Sequence, residues 1–304
     1  MKIIFMGTPD FAQRSLEALY HYGHEVVGVF TQPDKPKSRG MKVTSSPVKD
    51  LALAHGTPVY QPVSLRDDAV IETLQSLDFD LIVVVAYGKI LPTKILDMSP
   101  LGAINIHASI LPKYRGAAPI QWAILNGDQV TGVTSMYMAE ALDAGDIILT
   151  HDTAIGANET SGELFERLKE MGANLLNETI DLLSKGEAPR IPQDSNDATY
   201  APMLSKDMSA IDWNTTGLHI KCKVRGLNPW PVATTLFKDK VYKIFAVDTI
   251  QKDTLAPPGA LVSTGKHGIE IACLDGVVII KDLQASGGKR MSAADHLKGN
   301  SIFN

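Results

Sequence analysis

The chain has 304 residues, which is long for one domain and favours two. With 44% hydrophobic and 21% charged residues it is not a disordered chain, and its longest strongly apolar run, residues 81–86, is far below the roughly 20 residues that cross a bilayer. Two cysteines, Cys222 and Cys273, exclude a disulfide framework and a four-thiolate metal site. We therefore expect a cytoplasmic protein without a metal or a membrane segment.

The charge of the chain is unevenly distributed. Its net charge is −5, which argues against a protein that coats nucleic acid indiscriminately. Residues 201–304 carry 13 Lys and Arg against 9 Asp and Glu, whereas residues 1–200 carry 16 against 25. This asymmetry indicates an anionic partner for the mildly basic second part, although compositional drift between two domains explains it equally well.

The first part of the chain alternates apolar strands with amphipathic helices. Strands are predicted at residues 3–7, 26–30, 81–86, 104–107, 134–138 and 147–150, and helices at residues 11–22, 47–55, 117–125 and 161–186. Ser46 is a good N-cap for the second helix, and Thr160 and Glu163 have capping-box spacing before the last. Continuous apolar strands between helices indicate a mostly parallel, doubly wound α/β sheet covered on both faces.

The second part is predicted to be a small β domain. Prolines among polar residues indicate a linker, which divides the chain into a domain at residues 1–189, a linker at 190–206 and a domain at 207–304. A helix is predicted at residues 217–225, capped by Thr216, and strands at residues 233–237, 241–247, 259–264, 268–273 and 277–283. Five short strands joined by tight turns predict an antiparallel barrel similar to the oligonucleotide-binding kind.

The densest polar cluster follows the fourth predicted strand. Asn105 and His107 are two residues apart, so both side chains point to the same face of a strand. In an open parallel sheet, ligands bind beyond the carboxyl ends of the strands. An amide beside an imidazole suits a carbonyl oxygen that becomes negative, and a carboxylate such as Asp143 would orient the ring and favour its cationic form. Periodicity alone leaves open the simpler interpretation that Asn105 and His107 only satisfy loop carbonyls.

Residues 104–122 resemble the signature of the folate-dependent formyltransferases; they read INIHASILPKYRGAAPIQW. Shorter segments agree with the same family: MGTP at residues 6–9, LDAGD at 142–146, NPWP at 228–231 and GGKRM at 287–291. The resemblance covers nearly the whole chain. Within the family it is greatest to the members that act on methionyl-tRNA.

This resemblance implies transfer of the formyl group of 10-formyltetrahydrofolate, a co-substrate, to the α-amine of initiator methionyl-tRNA by a monomeric enzyme that needs no metal. It implies that Asn105, His107 and Asp143 are catalytic. It also implies that folate contacts four residues of the signature: Ser109, Ile110, Leu111 and Pro112.

The end of the third predicted strand is a further candidate for folate binding. A flat, hydrogen-bonding pterin suits a slot with backbone partners, and Gly88 permits close approach. We therefore include Val85, Ala86 and Gly88 as folate contacts, although Gly88 serves equally well to end a strand.

Two basic segments are candidates for contact with tRNA. Residues 31–49 carry a net charge of +4, and the resemblance implies that this loop, with Arg39 and Lys42, enters the acceptor-stem end; charge alone favours a solvated surface. The residues predicted to contact tRNA are Lys35, Lys37, Arg39, Lys42, Arg115, Lys221, Arg225, Lys289 and Arg290. Lys221 and Arg225 are four apart on a predicted helix and so share a face.

Three other functions remain open. A formyltransferase acting on a small amine, such as glycinamide ribonucleotide or an amino sugar nucleotide, would share the signature but have less use for the basic loop and second domain. A non-catalytic RNA-binding relative would not need Asn105, His107 and Asp143 together. Hydrolysis of the formylfolate by water is the third. Dinucleotide binding is disfavoured because no Gly-x-Gly-x-x-Gly follows the first strand.

Overall fold

The computed structural model describes residues 1–37 and 42–299. It divides into two compact units, and the chain passes from one to the other several times. The first unit comprises residues 1–116, 131–153 and 165–200, and the second comprises residues 117–130, 154–164 and 201–304. The predicted boundaries at 189/190 and 206/207 stay a prediction, because each compact unit is made of several separate stretches of chain and so has no single boundary to compare with them.

The chain up to residue 185 contains ten strands and six helices among its described residues. The strands are β1 (Lys2–Gly7), β2 (Glu25–Phe30), β3 (Lys35–Lys37), β4 (Lys42–Thr44), β5 (Val59–Tyr60), β6 (Leu81–Val85), β7 (Ala103–His107), β8 (Arg115–Gly116), β9 (Val130–Tyr137) and β10 (Ile147–Ala154). The helices are α1 (Asp10–His21), α2 (Pro47–Ala54), α3 (Asp68–Ser76), α4 (Thr93–Leu96), α5 (Pro119–Leu125) and α6 (Ser161–Lys185).

A seven-stranded sheet is the frame of the first unit, with the order β10-β9-β7-β6-β1-β2-β5. The pairs β1–β2, β1–β6, β2–β5 and β6–β7 are parallel, whereas β9 runs antiparallel to β7. The prediction of a mostly parallel α/β sheet is confirmed. In this register Asn105 lies between Val84 of β6 and Met136 of β9, and His107 lies opposite Thr134 of β9.

The sequence explains why these elements form. Every residue of β6 is buried, as expected for a central parallel strand whose two faces are both covered. Helix α2 begins as predicted, because Ser46 Oγ accepts a hydrogen bond from the Lys49 amide at 3.1 Å. At α6 the predicted capping box is confirmed: the Thr160 amide donates to Glu163 Oε2 at 2.8 Å, and the Glu163 amide donates back to Thr160 Oγ1.

The rest of the chain contains seven further strands and two further helices among its described residues. Its strands are β11 (Tyr200–Ala201), β12 (Ala233–Phe237), β13 (Lys240–Gln251), β14 (Leu261–Gly265), β15 (Gly268–Cys273), β16 (Gly276–Ala285) and β17 (Met291–Ser292), and its helices are α7 (Gly217–Gly226) and α8 (Ala293–Gly299). Short 3-10 turns lie at Ser195–Asp197 and Lys206–Ser209. Thr216 caps α7 as predicted, since its Oγ1 accepts from the His219 amide at 3.3 Å.

The five predicted strands of the second unit pair in the order β12-β13-β16-β15-β14, and β17 adds to β16. The antiparallel pairing is confirmed. Buried aliphatic side chains from the sheet and α7, including Ile220, Ile244 and Ile271, form its core. Among the residues described, no helix is both long enough and apolar enough to cross a membrane.

Candidate active site

His107 and Asp143 come together at the end of β7. His107 is 7% exposed, and its Nδ1 lies 3.7 Å from Oδ2 of Asp143. The other ring nitrogen, Nε2, lies 2.9 Å from the carbonyl oxygen of Tyr114. Because a carbonyl oxygen only accepts, Nε2 carries a proton, and Nδ1 is the nitrogen that faces the carboxylate.

The loop after β7 holds both groups through its backbone. The amide of Gly116 donates to Asp143 Oδ2 at 2.8 Å. Tyr114 and Asp143 both have a positive φ, of 61° and 48°, which residues other than glycine rarely adopt. Such a conformation costs about 1–3 kcal/mol and persists only where the surroundings fix it. The backbone is therefore strained at the two residues that flank the imidazole.

Asn105 lies two residues before His107 on β7, so the two side chains are on the same face of the strand. Its residue is half-buried, and its Oδ1 is buried without a hydrogen-bond partner. An unpaired buried acceptor costs about 1–3 kcal/mol, so native structures seldom keep one unless a ligand pairs with it. This amide is the clearest sign that the site is built to receive a polar group.

Gln193 is a site residue that sequence reasoning missed. Its Nε2 donates to the carbonyls of Asp143 at 2.9 Å and Gly145 at 2.8 Å. Its Oε1 accepts from Arg115, at 3.1 Å from Nε and 2.8 Å from Nη2. Arg115, predicted to contact tRNA, is 5% exposed. No sequence signal marks Gln193, because it lies in a proline-containing polar stretch that is typical of a linker.

The residues predicted to bind folate lie in two places. Ser109 is fully buried, and its Oγ donates to the carbonyl of Lys113 at 2.6 Å, so this side chain stabilises its own loop. Leu111 is 4% exposed, whereas Ile110 and Pro112 are half-buried.

The second group of predicted folate contacts ends β6. Val85 is buried, and Ala86 and Gly88 follow with φ of 44° and 77°. Between them, Tyr87 accepts a hydrogen bond from Gln32 Nε2 at its carbonyl. Its phenol oxygen is buried without a partner, and burial raises the pKa of Tyr87 to about 12.

A cavity of about 530 Å³ lies beside the segment that leads to Asp143, within the size range of small-molecule sites. None of the seven residues predicted to bind folate lines it. Its lining residues are Thr93, Leu96, Asp97, Ser99, Pro100, Leu101, Gly102, Ala103, Tyr137, Met138, Ala139, Glu140 and Arg190. The residues from Tyr137 to Glu140 therefore border the cavity just before the chain reaches Asp143.

The basic loop is described only in part. Arg39 lies outside the described residues, and so do the side chains of Lys35, Lys37 and Lys42. The backbone of β3 pairs antiparallel with that of β4. At the base of the loop, Lys49 Nζ donates to Asp34 Oδ2 at 2.6 Å and to Gln61 Oε1 at 2.8 Å. The hydrogen bond from Lys49, reinforced by Gln61, lowers the pKa of Asp34.

The second unit holds four residues predicted to contact tRNA: Lys221, Arg225, Lys289 and Arg290. Lys221 Nζ lies 4.0 Å from Asp248 Oδ1, and Arg290 pairs with Asp282 at 2.7 Å. Arg225 Nη1 donates to two backbone carbonyls of the same unit, at 3.0 and 3.2 Å. Lys289 is exposed. The geometry thus gives Lys221, Arg225 and Arg290 partners within the unit.

No cluster of three or more His, Cys, Asp or Glu side chains suited to a metal ion occurs in the part of the chain that the structure describes.

Comparison with known proteins gives concordant results. The formyl transferase family profile matches residues 1–180, and the profile of the formyl transferase C-terminal domain matches residues 203–301. A methionyl-tRNA formyltransferase of Alkaliphilus oremlandii is 50% identical over 302 residues, covering 99% of this chain and 97% of the relative. One from Clostridioides difficile is 45% identical over 302 residues, covering 99% and 98%.

Among solved structures, an N-formyltransferase of Helicobacter canadensis in complex with folinic acid and dTDP-3-aminofucose has the same fold. It superposes with a TM-score of 0.71 and covers 96% of this chain and all of its own. Its sequence identity is 17%, so the likeness is one of fold alone.

Proposed function

Because this chain belongs to the formyl transferase family, we propose that it transfers the formyl group of 10-formyltetrahydrofolate to the α-amine of methionyl-tRNA, giving the formylated initiator for translation. The observation that carries the proposal is the buried His107–Asp143 pair, 3.7 Å apart, next to Asn105, whose buried Oδ1 has no hydrogen-bond partner. These three groups match the needs of acyl transfer to an amine. The high identity to named relatives over the full length supports the choice of acceptor.

Asn105 and His107 would stabilise the oxygen of the formyl group as it becomes negative. The Asn105 amide supplies one donor, and the protonated Nδ1 of His107 supplies the second. The distance of 3.7 Å from Nδ1 to Asp143 Oδ2 exceeds that of a hydrogen bond, so the carboxylate faces Nδ1 without being bonded to it. The bond from Nε2 to Tyr114 keeps the ring from rotating while this occurs.

Asp143 would also assist proton movement. The attacking amine becomes positive when it bonds to carbon, and the departing folate nitrogen must gain a proton. The carboxylate, fixed by the Gly116 amide, would reach both through one water. The co-substrate 10-formyltetrahydrofolate supplies the formyl carbon and leaves as tetrahydrofolate.

We propose that residues Ser109 to Pro112 and the end of β6, at Val85, Ala86 and Gly88, contact folate through their backbone. The Ser109 hydroxyl is already bonded to Lys113, which supports a backbone rather than a side-chain contact. The predicted monomeric state and cytoplasmic location likewise stay predictions.

Binding of tRNA is expected to depend strongly on salt. Lys289 is exposed beside Arg290, and each phosphate that a lysine neutralises adds about 0.9 to the slope of log affinity against log salt. We expect a linear fall with salt in filter binding, and a slope smaller by about 1 for Lys289→Ala. Lys185→Ala, at the exposed end of α6, is the control and should keep the slope. A flat salt response would remove the electrostatic contact.

The function is tested by incubating the purified protein with 10-formyltetrahydrofolate and charged initiator tRNA. We expect formylmethionine on the tRNA after mild deacylation, detected by mass spectrometry. Elongator methionyl-tRNA, glycinamide ribonucleotide, an amino sugar nucleotide and water alone are the alternative acceptors. Faster turnover with one of these small amines, or with water, would replace methionyl-tRNA in the proposal. Binding of tRNA without formyl transfer to any acceptor would identify a non-catalytic relative.

A further inference from the structure

The Gln193 amide links a buried arginine to the backbone beside Asp143. Its nitrogen has two hydrogens, and both are used, by the carbonyls of Asp143 and Gly145. Its oxygen accepts two hydrogen bonds from the Arg115 guanidinium. An amide with all of these bonds has one orientation, because a flip would set its oxygen against two carbonyls and its nitrogen against a cation.

Arg115 is itself held close to the catalytic loop. It follows Tyr114, whose carbonyl accepts a hydrogen bond from His107 Nε2. It precedes Gly116, whose amide donates a hydrogen bond to the Asp143 carboxylate. The guanidinium is 5% exposed, so Gln193 supplies hydrogen-bond acceptors that a buried cation needs. Gln193 thus connects the segment after His107, through Arg115, to the segment that carries Asp143.

The chain around Gln193 is attached at further points. Ile191 exchanges two backbone hydrogen bonds with Ile147, at 2.8 and 3.0 Å. The Arg190 guanidinium lies 3.6 Å from the centre of the Tyr137 ring and 3.5 Å from Asp146. These contacts fix residues 190–193 along the turn that carries Asp143, at both of the turn's ends.

We propose that Gln193, oriented by Arg115, is a positioning residue that holds the carboxylate of Asp143 at its working distance from His107. This inference rests on the proposed function. Asp143 has a φ of 48°, a left-handed conformation that aspartate tolerates better than most residues but that still benefits from support by its surroundings. Two hydrogen bonds from one amide, at Asp143 and Gly145, supply that support, and the predicted linker thereby becomes part of the site.

The test is Gln193→Met, which keeps the length of the side chain and removes its donors and acceptor. We expect the single-turnover rate of formyl transfer, at saturating folate and methionyl-tRNA, to fall about 10- to 100-fold, because misplacing a reacting group by about 1 Å costs up to that much. The KM for methionyl-tRNA should change less than threefold, since Gln193 acts on the carboxylate and not on the tRNA.

A double-mutant cycle with Asp143→Asn separates positioning from a general loss of structure. Once the carboxylate is gone, moving its segment has little left to affect, so Gln193→Met should lower the remaining rate less than threefold. A merely structural role would lower the rate equally in both backgrounds. Equal losses, or no loss in the wild-type background, would overturn the proposal.

Two further variants keep the test decisive. Gln193→Glu retains the pairing with Arg115 but sets an oxygen against the two carbonyls, so it should fold and lose rate like Gln193→Met, which makes it the replacement if Gln193→Met fails to fold. Asn196→Ala is the matched control, because Asn196 bonds only to Asp194 within its own turn, and its rate should equal that of the wild type. A wild-type protein that formylates another acceptor would overturn the proposed function, yet leave the cycle measurable with that acceptor.

Discussion

Replacing His107 with alanine is expected to lower the turnover number for formyl transfer at least about 10²–10³-fold while the protein stays folded. The variant loses the proposed donor to the formyl oxygen and leaves the Asp143 carboxylate without the imidazole that faces it. It also leaves the Tyr114 carbonyl, which now accepts from Nε2, free to bind water. The measurement is single-turnover formylation of methionyl-tRNA, accompanied by a thermal unfolding curve.

The matched control for this variant is His151→Ala. The His151 side chain is 39% exposed and pairs with Glu178 at 3.1 Å, on the edge strand β10, which β9 separates from β7 in the sheet. Its turnover number should match that of the wild type. A His107→Ala protein that formylates at a near wild-type rate would remove the imidazole from the mechanism.

Replacing Asn105 with aspartate is expected to lower the turnover number by at least about 10²-fold as well. The two side chains have nearly the same shape, so the packing of β7 between Val84 and Met136 is kept. The change removes the amide donor and places a negative charge where the formyl oxygen becomes negative. It also brings a second carboxylate to a site that already holds Asp143.

The exposed Asn158→Asp carries the same change of charge away from the site and should leave turnover unaffected. Folate affinity, measured by fluorescence quenching or calorimetry, should fall less than turnover in Asn105→Asp, because the donor acts mainly on the transition state. An equal loss in affinity and in turnover at saturating folate would instead assign Asn105 to ground-state binding.

Much of the architecture follows from local patterns. Continuous apolar strands such as β6, and helix caps such as Thr160 and Thr216, can be predicted from the sequence because they depend on residues that are close in sequence. The same holds for Asn105 and His107, which share a face through the two-residue period of β7. Short elements such as α4 and β5 carry too few residues for a periodic signal, and no prediction was made for them.

The other residues of the site, Asp143, Gln193 and Arg115, are brought together by contacts between distant parts of the sequence, which local patterns do not predict. Sequence spacing carries no distance, so the pattern could only suggest that Asp143 approaches the imidazole, and nothing in the sequence predicts a positive φ at that residue. Gln193 was hidden for a physical reason: a polar side chain between prolines has the same composition whether water or a buried guanidinium satisfies it. Arg115 is predicted to contact tRNA because it lies near the catalytic run in sequence, and that contact stays a prediction; the sequence did not show that its guanidinium also binds the Gln193 amide oxygen.

The interleaving of the chain between the two compact units limits how the protein can be dissected. A fragment starting after the predicted linker would lack α5, whose Leu125 packs so tightly on Gly226 that an added Cβ would come within 2.8 Å of it. It would also lose both carbonyl acceptors of the Arg225 guanidinium, at residues 156 and 159. The second unit is therefore not a detachable module, because one cut after the predicted linker would expose the apolar surface that α5 covers and leave the Arg225 guanidinium without these two acceptors.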